Sequence, residues 1–214
     1  MQTAFRCLHF GFQKRNAIKI YDMSQELFHC AVFPGDVPPV RDVRETIEAG
    51  SICNLTAFSM CAHNGTHIDA PYHFYREGKT VDQLELAALI GRCYVAFAQG
   101  AVTEETANAI VGKARAADPE AAKRILIGGD AFVTLEAAKV FTREKVVLVG
   151  NESQTVGPLN APAKVHYELL GAEVVLLEGI RLQGVPEGVY LLNAAPLNLG
   201  QADGAPCRAV LIAE

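Results

Sequence analysis

Four short apolar runs, CYVAFAQ, RILIGG, VVLVG and EVVLLEGI, recur between residues 93 and 180, and a polar, helix-patterned segment separates each from the next. Runs of this length suit strands, and the intervening segments carry helix start and stop signals. TEETANAIVGKARAADP opens on Thr103 as an N-cap, follows it with Glu104 and Glu105, and stops at Pro119. TLEAAKVFTREK has Thr134 in the capping place, and APAKVHYELLG places Pro162 near its first turn and Gly171 at its end. Proline entering and glycine leaving is the usual helix asymmetry. Interleaved strands and helices of this kind call for an α/β domain.

Strands are in excess on either side of this block. AIKIYDM reads as a first strand, NLTAFSMCA as another, and RAVLIAE as the last. Between the first two, Pro34-Gly35-Asp36 and Pro38-Pro39 mark turns. VDQLELAALIG reads as a short helix or turn. No repeat, low-complexity tract or linker interrupts the series, so the fold class is α/β, a single domain with a mixed sheet. The first twenty residues hold four basic and no acidic side chains, but they lack the apolar core of a secretory signal and have little Ser. Residues 1–17 are therefore read as a flexible extension and 18–214 as the domain.

Composition narrows the partners. Half of the 214 residues are hydrophobic and a fifth are charged, as in ordinary globular proteins. The net charge of −5, with no Lys/Arg cluster, argues against nucleic acid and against anionic membranes. The longest apolar runs are far too short to span a bilayer. The six cysteines show no C-x-x-C pairing, which reads as buried free thiols in a reducing compartment, by default the cytoplasm.

The chemistry concentrates in HNGTHIDAPYHF, residues 63–74, which sets His63, His67, Asp69 and His73 within eleven positions. The H-x-x-x-H spacing does not fit the helical zinc motif. Asn64-Gly65 between the two histidines is a turn signal, and Pro71 biases Ala70 away from helix. An extended THID segment instead points His67 and Asp69 to the same side, and His63 reaches them through the turn. Two imidazoles and a carboxylate are a nitrogen–oxygen donor set suited to Zn²⁺ or Mn²⁺. His73 reads as a fourth ligand or as an acid–base group beside the cation. Cys61, two residues before His63, reads as a buried small side chain rather than a thiolate ligand.

This stretch resembles the H-x-G-T-H-x-D-x-P-x-H signature of the cyclase family of metal-dependent hydrolases, whose best-known members are bacterial kynurenine formamidases (arylformamidases). YDMSQEL with FPGD, GKTVDQLELAALIGRCYV, and VHYELLGAEVVLLEGIRLQGVPEGVYLLNAAPLNL are also similar to the family, so the likeness spans about residues 18–213. The resemblance implies a swivelling β/β/α fold, a homo-oligomer (dimer or tetramer), a small-molecule substrate, and one or two Zn²⁺ or Mn²⁺ ions. It implies that His63, His67 and Asp69 hold one ion, that Asp69 bridges to a second held by His166 and Glu178, and that His73 is the general acid/base. Glu178 closes an apolar strand, where an unpaired charge would be costly and a cation would compensate it. His166 lies on the preceding helix, but helix and strand spacings alone do not bring the two together. Phe33 stands where the family carries an aromatic residue, often Trp, against the substrate ring.

The implied reaction is metal-assisted hydrolysis of a small amide, most simply an aryl formamide such as N-formylkynurenine, with His73 relaying the proton to the leaving amine. No G-x-S-x-G elbow is present, and IGGDAF lacks the pattern of a phosphate loop. The chain departs from the family in having no Trp, a short middle, and Asn151-Glu152 where an Asp is expected. Hydrolysis of a lactone or imide, a metal-dependent lyase or cyclising reaction, and a non-catalytic metal- or ligand-binding role are the alternatives.

Overall fold

In a computed structural model, which describes residues 18–213, the four apolar runs become four adjacent parallel strands. The chain begins with β1 (Lys19–Asp22), an antiparallel ribbon of β2 (Val40–Glu45) and β3 (Leu55–Ser59), and β4 (His67–Asp69). A single helical turn, α1 (Leu86–Leu89), leads into β5 (Ile90–Phe97) and β6 (Gly100–Val102). Next come α2 (Glu104–Ala117), β7 (Arg124–Gly128), β8 (Ala131–Val133), α3 (Leu135–Arg143) and β9 (Leu148–Asn151). After α4 (Ala163–Gly171) and β10 (Val175–Glu178), the strands β11 (Gly188–Asn193), β12 (Gly204–Pro206) and β13 (Val210–Ala213) follow.

The main sheet has nine strands in the order β1-β13-β11-β5-β7-β9-β10-β4-β12. Its centre, β5-β7-β9-β10, is parallel, and antiparallel strands flank it on both sides. Each parallel step is bridged by one of the three long helices, as parallel neighbours require. Side-chain alternation then sorts two cores. Tyr94, Ala96, Ile125, Ile127, Val149 and Leu176 face the helices, where they meet Ile110 and Val111 of α2, Phe141 of α3 and Leu169 of α4. The intervening residues, Cys93, Val95, Leu126, Leu148, Val175 and Leu177, face Met23, Leu192 and Leu211 on the other side of the curled sheet. This is the single α/β domain with a mixed, swivelling sheet that the sequence implied.

Thr103 and Thr134 cap their helices as expected, each side-chain oxygen accepting a backbone N–H three residues on. Gly171 closes α4 as expected, and Glu173, two residues on, takes the left-handed conformation, with φ 58°. Glycine at 171 leaves room for the Tyr75 hydroxyl, which an added Cβ would overlap. One expectation needs correction: the cysteines are not uniformly buried. Cys93 is, but Cys53 is exposed beyond the ribbon turn, and Cys30, Cys61 and Cys207 are partly covered. All five are free thiols; Cys7 and the expected extension over residues 1–17 lie outside the described residues. No helix among the described residues is long and apolar enough to cross a membrane.

Candidate metal-dependent active site

Register places the first carboxylates and imidazoles. Strand β4 lies between β10 and β12, pairing His67 with Glu178 and Asp69 with Leu176. Because Leu176 belongs to the helix-facing core, the alternate residues His67, Asp69 and Glu178 open onto that same face. The extended reading of THID holds, and His67 Nε2 lies 3.3 Å from Asp69 Oδ1 and 3.5 Å from Glu178 Oε2. All three side chains are almost wholly buried.

From above the sheet, α4 supplies the next donor. His166 sits on its buried face beside Val165 and Leu169, with Nε2 3.2 Å from Glu178 Oε1 and 3.6 Å from Asp69 Oδ2. The sequence spacing hid this meeting because β10 starts only at Val175. The turn after the helix consumes residues that an early strand would have carried away from it. Phe74 stacks on the His166 ring at 4.8 Å and 28°, fixing its plane.

The turn at Asn64-Gly65, where Gly65 has φ 66°, brings His63 in from the other side. Its Nδ1 is 2.8 Å from Asp69 Oδ1. His73, on a single turn after Pro71, stands beside it, the two ring centroids 4.1 Å apart. Asp203 was not singled out in the sequence, yet its Oδ2 lies 2.9 Å from His63 Nε2 and 3.0 Å from His73 Nδ1. Its only local signal is the Asp-Gly pair ahead of the last strand. All seven residues read from the sequence, Phe33, His63, His67, Asp69, His73, His166 and Glu178, line one cavity of about 230 Å³. Phe74, Pro162, Gln154 and Thr155 complete its wall with Asp36. Asn151 and Glu152, which replace the expected Asp, stay out of the cavity: Glu152 accepts the backbone N–H groups of Gly129 and Leu182, tying loops together. Cys61 belongs to no metal-competent group among the described residues.

Burial alone would hold the three inner imidazoles neutral, but the carboxylates outweigh it. Hydrogen bonds donated to Asp203 and Asp69 push His63 up to about 10. Asp69 and Glu178 do the same for His67 and His166, each up to about 10. Burial works against the Asp69 anion too, yet His166, His63 and His67 hold it well below the usual carboxylate range. Hydrogen bonds from His63 and His73 hold Asp203 low as well.

The donors suit a cation. His67 donates Nδ1–H to the Gly65 carbonyl at 3.1 Å, and His166 donates Nδ1–H to the Pro162 carbonyl at 3.1 Å. A carbonyl only accepts, so both rings keep the other nitrogen, Nε2, for the cluster, as metal-ligating histidines do. Within 4.8 Å of one another lie ligand atoms of His63, His67 and Asp69, and of Asp69, His166 and Glu178. A third set, His63, His73 and Asp203, meets the same distance test.

Comparison with known proteins points the same way. A family profile described as "Putative cyclase" matches residues 18–158. A kynurenine formamidase of Geobacillus thermodenitrificans is 34% identical over 205 residues, covering 89% of this chain and 95% of the relative. One from Bacillus cytotoxicus is 31% identical with the same coverage. Among solved structures, a predicted metal-dependent hydrolase from Bacillus stearothermophilus superposes with a TM-score of 0.75 at 26% identity, over 92% of this chain and 98% of that one.

Proposed function

The chain belongs to the cyclase family, and from that premise we propose that it is a metal-dependent hydrolase of a small aryl amide, with an aryl formamide such as N-formylkynurenine as the leading substrate. It acts on C–N bonds other than peptide bonds. The observation that carries this reading is a single buried carboxylate, Asp69, shared by two nitrogen–oxygen donor sets in one cavity, with His73 at the cavity wall.

His63, His67 and Asp69 would hold one Zn²⁺ or Mn²⁺, and Asp69, His166 and Glu178 a second. When bound, such a cation lowers the pKa of water at the site and polarises the substrate carbonyl. The protein supplies the rest. Phe33, Phe74 and Pro162 form an apolar wall for the aryl ring and exclude bulk water. His73 takes a proton as water adds to the formyl carbon, and returns it to the amine nitrogen as the C–N bond breaks. Water and the formamide give formic acid and a neutral arylamine, and the acid leaves as formate after losing its proton to solvent. Gln154 Oε1 and Thr155 Oγ1, buried and without a hydrogen-bond partner among the described residues, offer acceptors to polar groups of the substrate.

Assembly as a homo-oligomer, dimer or tetramer, is part of the proposal. The β2–β3 ribbon leaves Val43 and Phe58 on one face and Val40 and Leu55 on the other, each about half exposed, apolar side chains that a second copy would cover. The free cysteines favour a reducing cytoplasm. A panel of formanilide, N-formylkynurenine, a lactone and a cyclic imide, assayed with Zn²⁺ or Mn²⁺ added after chelation, tests the substrate class. Formate release fastest from the aryl formamides is expected; turnover of the cyclic compounds alone would overturn the assignment.

A further inference from the structure

We propose that Asp203 is a positioning residue that aligns the metal-ligating ring of His63 and the proton-transferring ring of His73 through one shared oxygen. The inference deepens the hydrolase reading and rests on it.

A carboxylate oxygen only accepts, so both nitrogens that meet Asp203 Oδ2, His63 Nε2 at 2.9 Å and His73 Nδ1 at 3.0 Å, carry hydrogens. Those two bonds select the useful atoms on each ring. Asp69 Oδ1, 2.8 Å from His63 Nδ1, accepts a hydrogen there as well in the metal-free chain; a cation would take that hydrogen's place while Asp203 keeps the one on Nε2. With hydrogen on Nδ1, His73 keeps Nε2 as the atom that accepts and returns the substrate's proton. Without the shared acceptor, neither ring has a partner that fixes its tautomer from this side, and His73 would divide between two forms, one of them inert as a base.

The backbone around Asp203 is built to hold that position. The Asp203 carbonyl accepts the Ala70 N–H at 2.9 Å, and Gly204 is register partner to Asp69 itself. Just upstream, Ala202 O accepts from Val81 N and Gln201 N donates to Asp82. The segment is thus zipped onto the strand that carries the ligands, and its placement depends on register rather than on burial of the side chain. Gly204 fits the same plan. A Cβ there would stand 2.5 Å from His63 Cε1, so glycine leaves the ring its place against Asp203. An ordinary exposed ion pair would show neither the shared acceptor nor the space cleared behind the ring.

The test uses the full, zinc-loaded chain with formanilide as substrate, comparing Asp203→Asn, Asp203→Glu and wild type. For Asp203→Asn, kcat should fall by about tenfold or more, the range for outer partners of metal-ligating histidines, while KM and metal-to-chain ratio hold. Asp203→Glu, which keeps the charged acceptor, should recover part of kcat. Nitrogen-15 spectra of labelled histidines should show one His73 tautomer, hydrogen on Nδ1, in wild type and a mixture in Asp203→Asn. Loss of a metal ion in Asp203→Asn would overturn the proposal by making Asp203 a ligand with His63 and His73. A rise in KM at constant kcat, or an unchanged tautomer, would overturn it as well. If wild type leaves formanilide and the other aryl formamides untouched, the hydrolase reading fails, while the tautomer spectra still decide the role of Asp203.

Discussion

The His63 and His73 rings lie tilted against each other with centroids 4.1 Å apart, yet their second partners differ: only His63 also reaches Asp69. That difference separates a ligand from a proton carrier and can be read by mutation. His73→Ala should keep its bound metal and lose most of its turnover, since general acid–base assistance contributes about a hundredfold or more. Metal lost in proportion to activity would make His73 a ligand instead. Asp69→Ala removes the carboxylate common to both donor sets, so its metal-to-chain ratio, read by elemental analysis, should collapse toward zero. A ratio unchanged in that variant would remove the bridge. The sequence revealed His67, Asp69 and His63 because a turn and a strand of period two are local patterns. Asp203 was invisible because it reaches His73 and His63 across 130 and 140 residues, through a strand pairing that leaves no mark in its own neighbourhood.

Helix caps are the elements best foretold. Thr134 Oγ1 accepts from Ala137 N and donates to the Val102 carbonyl, joining the start of α3 to the end of β6. Thr134→Ala should cost about 1 kcal/mol of stability, the usual worth of such a cap. Turnover should be untouched, and a combined thermal melt and rate assay checks both. The ribbon makes the opposite kind of prediction. Under the proposed homo-oligomer, Phe58→Glu places a charge on the ribbon face that a second copy would cover, so sedimentation should show more monomer than wild type with the fold intact; an unchanged profile would contradict that interface. Strand boundaries were less legible than helix starts. His166 and Glu178 looked too far apart in the sequence because a strand drawn from Gly171 would carry the carboxylate away, whereas Glu173 turns left-handed and delays β10 to Val175. The nine-strand order was hidden for the same reason as Asp203. The pairing of β1 with β13 joins the two ends of the described chain.

At the scale of the whole molecule, the cavity gathers opposite charges into the core. In the metal-free chain Asp69, Glu178 and Asp203 raise His63, His67 and His166 above the ordinary imidazole range, which favours the protonated rings at neutral pH. Folded values of about 10 lie above the unfolded value of 6.5. Their stabilisation is therefore full below the unfolded value and is lost as pH rises through about 10. The melting temperature of the metal-free chain should fall between pH 7 and pH 10.5 by this linkage; a midpoint that stays flat or climbs would contradict it. Metal binding must displace the same protons, so affinity for Zn²⁺ should weaken as pH drops. The central claim, that this cluster holds a catalytic cation, is met most directly by measuring metal-to-chain stoichiometry and formate release on one sample, before and after chelation. The account predicts at least one divalent ion per chain, turnover lost with it, and turnover restored by Zn²⁺ or Mn²⁺. Full formate release from a chain stripped of metal would contradict it.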